Sequence, residues 1–275
     1  IEVRGVSKSY GRTVVVDDVS IAIPEGGITS IVGANGAGKS TLLSMIARLL
    51  TMDEGSIVVA GHDVSSANSQ DLARTLGILK QDNSIQVRLT VEDLVSYGRY
   101  PHSKGRLRQE DHGKIDAAIA HMDLEPLRHR FLDEMSGGQR QRAFVAMLLA
   151  QDTRYMLLDE PLNNLDMAHS LAMLSRLRQA ADELGKTIVM VVHDINFASA
   201  WSDHIVAMKD GRVELQGSPM EIVDSSMLSH VFGVTCAVDK ASGCPIAQYY
   251  RPSPESMEQR EEAAQHVLAA ARARQ

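Results

Sequence analysis

Short apolar runs separated by turn residues dominate the first 61 residues. They are rich in β-branched residues and bounded by Gly, Pro, Asp and Glu, a pattern that predicts strands. The runs are IEVRGV, TVVV, VSIAI, ITSIVG and SIVVAG. A helix over about 39–50 is predicted directly after a glycine-rich loop, and residues 71–79 predict a short helix that leads into the strand LGILK.

Helical patterns replace the strands over residues 82–150. The predicted helices are Val91–Tyr97, 110–122 and 139–150. Apolar strands return at Tyr155–Asp159 and 187–192, with a helix over about 168–184 between them. Two buried strands joined by a crossover helix predict a parallel βαβ unit and an α/β fold.

The remaining segments predict one hairpin and one terminal helix. AMKDGRVEL is typical of a hairpin that turns at Asp210 and Gly211. Residues 253–275 predict a helix, since Ser253 can cap it and Pro254 fits its first turn. The apolar stripe of that helix is thin, so it suits a weakly docked tail as well as a functional element.

Composition narrows the class of protein. Of 275 residues, 44% are hydrophobic and 23% charged, which is ordinary for a soluble globular chain. The net charge of −7 argues against nucleic acid as the main partner. The longest apolar run, 143–150, is far shorter than the ~20 residues of a membrane-spanning helix. With Glu2 and Arg4 so early, no signal peptide is predicted, and we expect a cytosolic chain that reaches a membrane only through a partner.

The two cysteines do not form a recognisable framework. Cys236 and Cys244 lie in one loop-like stretch, CAVDKASGC, where a disulfide is geometrically feasible. Two cysteines in a chain of this length are more typical of reduced thiols, and their spacing is not that of a zinc site.

The segment GANGAGKST carries the first chemical signal. It matches GxxxxGK[ST] between an apolar strand and a helix, which is the context of a phosphate-binding P-loop. Backbone N–H groups and the start of the helix would face phosphate oxygens, Lys39 would contact the β- and γ-phosphates, and the Ser40 hydroxyl would reach Mg²⁺. The residues predicted to bind nucleotide are Gly33, Ala34, Asn35, Gly36, Ala37, Gly38, Lys39, Ser40 and Thr41.

The strand YMLLDEP supplies a second signal. An apolar strand that ends in Asp159 suits a Walker B carboxylate holding Mg²⁺. Glu160 follows at once and could orient and deprotonate an attacking water. A strand end with two acids is a weak signal alone, but with a P-loop upstream it favours nucleotide hydrolysis.

The segment MSGGQRQR points to a family. Ser136 and Gln139 form a capping-box pattern, and the two glycines between them allow a phosphate close to the helix start. The chain here resembles the ABC ATPases, whose signature is LSGGQ, with Met135 in place of Leu. The resemblance covers about residues 1–235.

Further elements of that family occur in the expected order. Tyr10 resembles the aromatic residue that stacks on adenine, and Gln81 resembles the glutamine that touches metal and water. NNLD resembles the D-loop, with Asn163 where Ser is commoner and with Asp166, which the resemblance places among the nucleotide-binding residues, at its end. His193 resembles the switch histidine that contacts the γ-phosphate.

The resemblance implies a fold and a mechanism. The expected fold is α/β, a P-loop NTPase (RecA-like) core with an N-terminal antiparallel β subdomain and a helical subdomain inserted at about 82–150. The expected domains are 1–235 and a C-terminal extension, 236–275.

The implied mechanism uses two copies of the chain that bind Mg²⁺ and ATP head to tail. Each ATP would lie between the P-loop of one copy and the signature of the other, which is Ser136, Gly137, Gly138 and Gln139. Glu160, Gln81 and His193 would serve catalysis.

The resemblance also implies partners and a class of transporter. The dimer would sit at the cytoplasmic face of the cell membrane, bound to separate permease subunits and served indirectly by a substrate-binding protein. VSYGRYPHSKGRL resembles a stretch in ATPases for iron–siderophore, haem and cobalamin uptake, and LKQDN with RLTVEDLVSYGR is most similar to the iron(III)-siderophore subset. A solvated loop is the alternative reading of that stretch. A non-transport ABC ATPase or an exporter subunit remain the other candidates.

Overall fold

The computed structural model describes residues 1–81, 83 and 87–249, which form both strands and helices. The strands are β1 (Glu2–Tyr10), β2 (Thr13–Ala22), β3 (Gly27–Val32), β4 (Glu54–Val59), β5 (His62–Asp63), β6 (Leu76–Leu79), β7 (Tyr155–Asp159), β8 (Thr187–Val191), β9 (His204–Lys209), β10 (Arg212–Gly217), β11 (Ala237–Asp239) and β12 (Ile246–Gln248). The α-helices are α1 (Lys39–Ile46), α2 (Ser69–Thr75), α3 (Val91–Tyr97), α4 (Tyr100–Ser103), α5 (Gln109–His121), α6 (Gly137–Ala150), α7 (Met167–Leu184), α8 (Ile195–Trp201), α9 (Pro219–Ile222) and α10 (Ser225–Met227). Short 3₁₀ segments at Glu125–Leu127 and Leu132–Glu134 and a π-helical turn at Leu228–Phe232 complete the described elements.

Two sheets carry the fold. One is antiparallel, in the order β2-β1-β4-β5. The other has the order β10-β9-β3-β8-β7-β6, and all its neighbouring strands run parallel except β10, which pairs antiparallel with β9. Strands β7 and β8 are parallel neighbours joined through α7, so the predicted βαβ unit is confirmed. The predicted hairpin is confirmed too, because Asp210 (φ 48°) and Gly211 (φ 83°) form its turn between β9 and β10.

The larger sheet divides the interior into two cores. Alternate residues of β7 face opposite ways: Leu157 packs with α1 and the antiparallel sheet, while Met156 and Leu158 pack with the helical lobe formed by α3, α5 and α6. Both faces of the strand are therefore buried, which explains its continuous apolar sequence. The nucleotide-binding class of fold predicted above, an α/β core with an antiparallel sheet and a helical lobe, is confirmed.

Several element boundaries differ from the sequence prediction. Helix α1 ends at Ile46 rather than near residue 50, because Arg48 adopts a left-handed conformation (φ 54°). TVVV and VSIAI belong to one strand, β2, whose pairing with β1 is interrupted by register shifts. The stretch around the cysteines contains the hairpin β11–β12, and no disulfide joins Cys236 to Cys244. The predicted helix at 253–275 lies outside the described residues.

Within the stretch VSYGRYPHSKGRL, residues 98–102 form a clamp on the end of α6, whereas residues 104–107 are exposed. Arg99 is only 6% exposed; its Nε bonds Asp111 of α5 at 2.8 Å and its Nη1 bonds the carbonyl of Ala150 at 2.9 Å. His102 Nε2 lies 2.9 Å from the carbonyl of Gln151. Cationic and polar groups at the last carbonyls of a helix stabilise it, so this clamp fixes α6 at its C-terminal end.

Candidate active site

The P-loop connects β3 to α1, and its backbone conformation requires glycine at two positions. Gly33 has φ 147°, and a Cβ added there would lie 2.1 Å from the carbonyl oxygen of Met208. Gly38 has φ 93°, and its Cβ would lie 2.5 Å from the carbonyl oxygen of Val15. Both positions combine a left-handed backbone with close backbone contact, so only glycine fits them. The curled loop that results is the strand–loop–helix arrangement that the motif predicts.

Lys39 lies in the centre of this loop. Its Nζ donates to the carbonyl oxygens of Gly33 at 2.8 Å and Ala34 at 2.9 Å, and the residue is 5% exposed. Burial lowers the pKa of the Lys39 ammonium, while the nearby carboxylates of Glu160 and Asp159 oppose this. A buried ammonium held only by neutral carbonyls favours the arrival of an anion.

A cleft of about 520 Å³ opens over the loop. That volume is within the usual range for sites that bind small molecules and cofactors. The cleft brings together residues that are far apart in the sequence, and its lining consists of Val15, Asn35, Gly36, Ala37, Gly38, Lys39, Ser40, Thr41, Gln81, Glu160, Asn163 and His193.

Asp159 and Ser40 form a pair of oxygen donors beside the cleft. Asp159 ends β7 and is 7% exposed, and the Ser40 hydroxyl donates to its Oδ1 at 2.7 Å. Burial raises the pKa of the Asp159 carboxyl. A hard cation next to this carboxylate would favour its charged form, so the pair suits a magnesium ion.

Glu160 is the most densely bonded side chain of the cleft. Its backbone is left-handed, with φ 52°. Gln81 Nε2 donates to its Oε2 at 2.8 Å, His193 Nε2 lies 2.7 Å from its Oε1, and the amide of Asn163 also donates to Oε2. The predicted catalytic residues Glu160, Gln81 and His193 therefore meet at one carboxylate.

Tyr10 lies beside the cleft rather than in it. It lines an adjoining hollow of about 380 Å³ together with Ser40, Thr41 and Gln81, and it is 51% exposed. Lys8 Nζ lies 6.0 Å from the centre of its ring. An exposed ring at the mouth of a phosphate site is placed where a base could stack on it.

The signature residues lie away from the cleft of their own chain, since none of the four lines it. Ser136 and Gln139 form the predicted capping box at the start of α6, with Gln139 N donating to Ser136 Oγ at 3.3 Å. A Cβ at Gly137 would meet nothing within 4 Å, whereas Gly138 is covered by the ring of His169. Gly137 therefore leaves this opening turn uncovered, at a place where the first N–H groups of a helix have no partner within the helix.

Asp166 also lies outside the cleft. It caps α7, and its Oδ1 accepts hydrogen bonds from His169 N at 2.8 Å and from His169 Nδ1 at 2.7 Å. Because His169 covers Gly138, Asp166 is connected through that ring to the opening turn of α6. Within one chain, it therefore belongs with the signature and not with the P-loop.

The sequence does not predict two of the residues that line the cleft. It shows Asn163 only as a departure from the commoner serine of the D-loop, yet the Asn163 amide donates to the Glu160 carboxylate. Val15 of β2 lines the cleft through an ordinary apolar side chain, and nothing in its sequence context marks it.

Two features are absent from residues 1–81, 83 and 87–249. None of the helices there combines the length and hydropathy needed to cross a bilayer. No group of three or more His, Cys, Asp or Glu side chains is arranged to hold a metal within the same described ranges. A magnesium ion at Ser40 and Asp159 would thus depend on other ligands, such as phosphate oxygens and water.

Comparison with known proteins identifies the family. The ABC transporter family profile matches residues 16–163. The chain is 50% identical over 250 residues to the petrobactin import ATP-binding protein YclP of Bacillus subtilis, covering 91% of this chain and 99% of that protein. It is 53% identical over 249 residues to the petrobactin import ATP-binding protein FatE of Bacillus anthracis, covering 90% and 100%.

A solved structure agrees with these relatives. The dimeric structure of MJ0796, a bacterial ABC transporter cassette, matches with a TM-score of 0.70 and 28% identity, covering 79% of this chain and 97% of that chain. The chain with this P-loop, Asp159–Glu160 strand end and signature helix belongs to the ABC transporter family and is an ATP-binding ATPase of that family.

Proposed function

We propose that this chain is the ATPase subunit of an importer and that it drives uptake of an iron(III)-siderophore through a separate membrane permease. The observation that carries the ATPase part is the convergence of Lys39, Ser40, Glu160 and His193 on one cleft above the P-loop, with Asp159 bonded to Ser40 beside it. The import part is supported by two relatives that are 50% or more identical over nearly their whole length, both named as petrobactin import proteins.

The P-loop would hold the triphosphate. Its backbone N–H groups and the start of α1 would face the β- and γ-phosphates, and Lys39 would exchange the carbonyls of Gly33 and Ala34 for phosphate oxygens. Tyr10, in the adjoining hollow, would stack on the adenine.

Ser40 and Asp159 would hold Mg²⁺, because a hydroxyl and a carboxylate 2.7 Å apart are ligands that this ion prefers. Gln81 could join them through its Oε1, since its Nε2 is used on Glu160. When bound, the ion would neutralise charge on the phosphate oxygens.

Hydrolysis would proceed by attack of a water oxygen on the γ-phosphorus. The bond from that phosphorus to the bridging oxygen of ADP breaks, and the products are ADP and inorganic phosphate. Glu160 would accept the proton that the water loses, and His193, on the opposite side of the same carboxylate, would contact the γ-phosphate. The hydrogen bonds from Gln81, Asn163 and His193 hold the Glu160 carboxylate in the lining of the cleft.

A second copy would complete the site. The opening turn of α6 offers the start of a helix and an uncovered Gly137, which suit a phosphate. In a head-to-tail pair, this turn would meet the nucleotide on the P-loop of the other copy, and Asp166 would lie at the contact. The similar cassette solved as a dimer supports a homodimer.

The proposed partners follow from the import function. The dimer would bind permease subunits at the cytoplasmic face of the cell membrane, and a substrate-binding protein would act indirectly by delivering the siderophore to the permease. Residues 1–235 would form the ATPase domain, with the helical lobe near 82–150 in contact with the permease and 236–275 as an extension.

Uptake of labelled ferric siderophore tests this function. In a strain that lacks the chain, wild-type protein should restore ATP-dependent uptake of ferric petrobactin, and the Lys39→Ala variant should not. Haem and cobalamin are the matched competing substrates. Restoration of haem or cobalamin uptake without siderophore uptake would overturn the substrate class but leave the ATPase assignment intact.

A further inference from the structure

Asn163 is tied to Glu160 by the turn that follows β7. Its backbone N–H donates to the carbonyl oxygen of Glu160 at 3.2 Å, and the turn contains two left-handed residues, Glu160 (φ 52°) and Asn164 (φ 60°). Left-handed backbones of this kind are unfavourable outside glycine and concentrate at functional sites. The effect of the turn is to return the Asn163 amide to the Glu160 carboxylate, where its Nδ2 donates to Oε2.

The bonds to Glu160 divide unequally between its two oxygens. Oε2 accepts from both Asn163 and Gln81, which fills the two lone-pair positions of that oxygen. Among the described residues, Oε1 has one bonding partner, His193 Nε2 at 2.7 Å, and none of them occupies its second lone-pair position. A carboxylate accepts only, so the Asn163 amide must present its NH₂ group to it.

The three partners differ in how they are attached. Gln81 follows β6 and His193 follows β8, so each reaches Glu160 from another strand of the sheet. Asn163 alone of the three shares a hydrogen-bonded turn with Glu160. Its bond to Oε2 is therefore set within one turn, whereas the other two bonds depend on the relative positions of neighbouring strand ends.

We propose that Asn163 is a positioning residue for hydrolysis: by occupying Oε2 it fixes the rotation of the Glu160 carboxylate and presents Oε1 to the attacking water. This rests on the proposed function, in which Glu160 accepts the water proton. Asn163 then acts through Glu160, and not through the affinity of the cleft for ATP.

Steady-state hydrolysis by full-length Asn163→Ala and Asn163→Leu tests the role. Leucine resembles asparagine in size and cannot donate, and the residue is exposed, so both variants should fold. Loss of a hydrogen bond to a charged group should lower kcat about tenfold in both variants. The KM for ATP should stay within about twofold, as expected when only a transition-state interaction is lost.

The same two substitutions in the Glu160→Gln background separate positioning from general damage. If Asn163 acts only through the carboxylate, they should cause no further loss there, because residues that act as a unit are not additive. Unchanged or raised kcat in the single variants, a matching rise in KM, or an equal further loss in the Glu160→Gln background would each overturn the proposal. Normal turnover by Glu160→Gln itself would instead overturn the proposed role of Glu160.

Discussion

The cleft over the P-loop and the opening turn of α6 differ in how much of a binding site one chain assembles. In the cleft, side chains from β3–α1, β6, β7 and β8 meet at bonding distance. At the opening turn, Ser136 and Gln139 bond each other and Gly137 faces open space. This difference fits the proposed head-to-tail dimer, in which one chain would supply the cleft for its own nucleotide and the opening turn for that of another copy.

The Glu160→Gln variant should break chemistry in the cleft and leave binding intact. Removing a general base typically costs about 10²- to 10⁴-fold in rate. The amide keeps the shape of the carboxylate, so the affinity for ATP should be retained and the ATP-bound dimer should accumulate. Phosphate release and equilibrium nucleotide binding measure the two effects. Turnover at the wild-type rate would remove Glu160 from its role.

The Arg99→Ala variant should weaken the lobe that carries α6 without reaching the cleft. It leaves Asp111 buried without its ion-pair partner, which costs about 3–5 kcal/mol of unfolding free energy. Denaturant unfolding measures this, with nucleotide binding to the folded variant as the control, expected to match wild type. A loss below about 1 kcal/mol would show that the clamp is dispensable.

The same clamp predicts an acid dependence of stability. Hydrogen bonds from the Arg108 backbone and from Arg99 lower the pKa of Asp111 in the folded chain. Its contribution is therefore complete above the unfolded carboxyl pKa of about 4 and is lost as the pH falls through the lower folded pKa. Arg99→Ala should show a smaller stability loss over that acid range than wild type; an identical loss would contradict the assignment.

The Gly137→Asp variant should act on the opening turn of α6 alone. There is room for the side chain, and an acid in the first turn favours the helix, so the fold should be kept. Its charge would repel a phosphate, and we expect ATP-driven dimerisation to weaken by about tenfold or more while single-chain ATP binding is unchanged. Gly137→Ala is the matched control and should dimerise far better. Equal dimerisation by both variants would exclude the turn as a phosphate contact.

Contiguous motifs explain why so much of the cleft could be predicted from the sequence. The P-loop residues act through backbone geometry that glycine spacing encodes, and Asp159 and Glu160 follow a recognisable apolar strand. The bond from Asn163 to Glu160 could not be predicted, because it depends on left-handed backbone at Glu160 and Asn164, neither of which is glycine. Gln81 and His193 lie far from Glu160 in the sequence, and the family resemblance, rather than any spacing of residues, predicts that they meet it.

Two features of the fold could not be predicted from the sequence for a different reason. The function of Arg99 as a buried clamp depends on its contact with Ala150, 51 residues away, which no local pattern reports. The hairpin β11–β12 has only three residues per strand, and it is held to α8 by the Asn196 side chain, which donates to the carbonyl of Ala247 at 3.1 Å and accepts from its N–H at 2.7 Å. Tertiary contacts of this kind override weak local propensity.

Mixing two complementary variants tests the shared site most directly. One variant, Lys39→Ala, keeps an intact signature, and the other, Gly137→Asp, keeps an intact P-loop; both also carry Glu160→Gln. Light scattering in the presence of Mg-ATP would measure the fraction of dimer for each variant alone and for their mixture. If each ATP lies between the P-loop of one copy and α6 of the other, the mixture should dimerise more readily than either variant alone, because a mixed pair contains one undamaged site. Equal dimerisation by the mixture and by either variant alone, or none in the mixture, would contradict this arrangement.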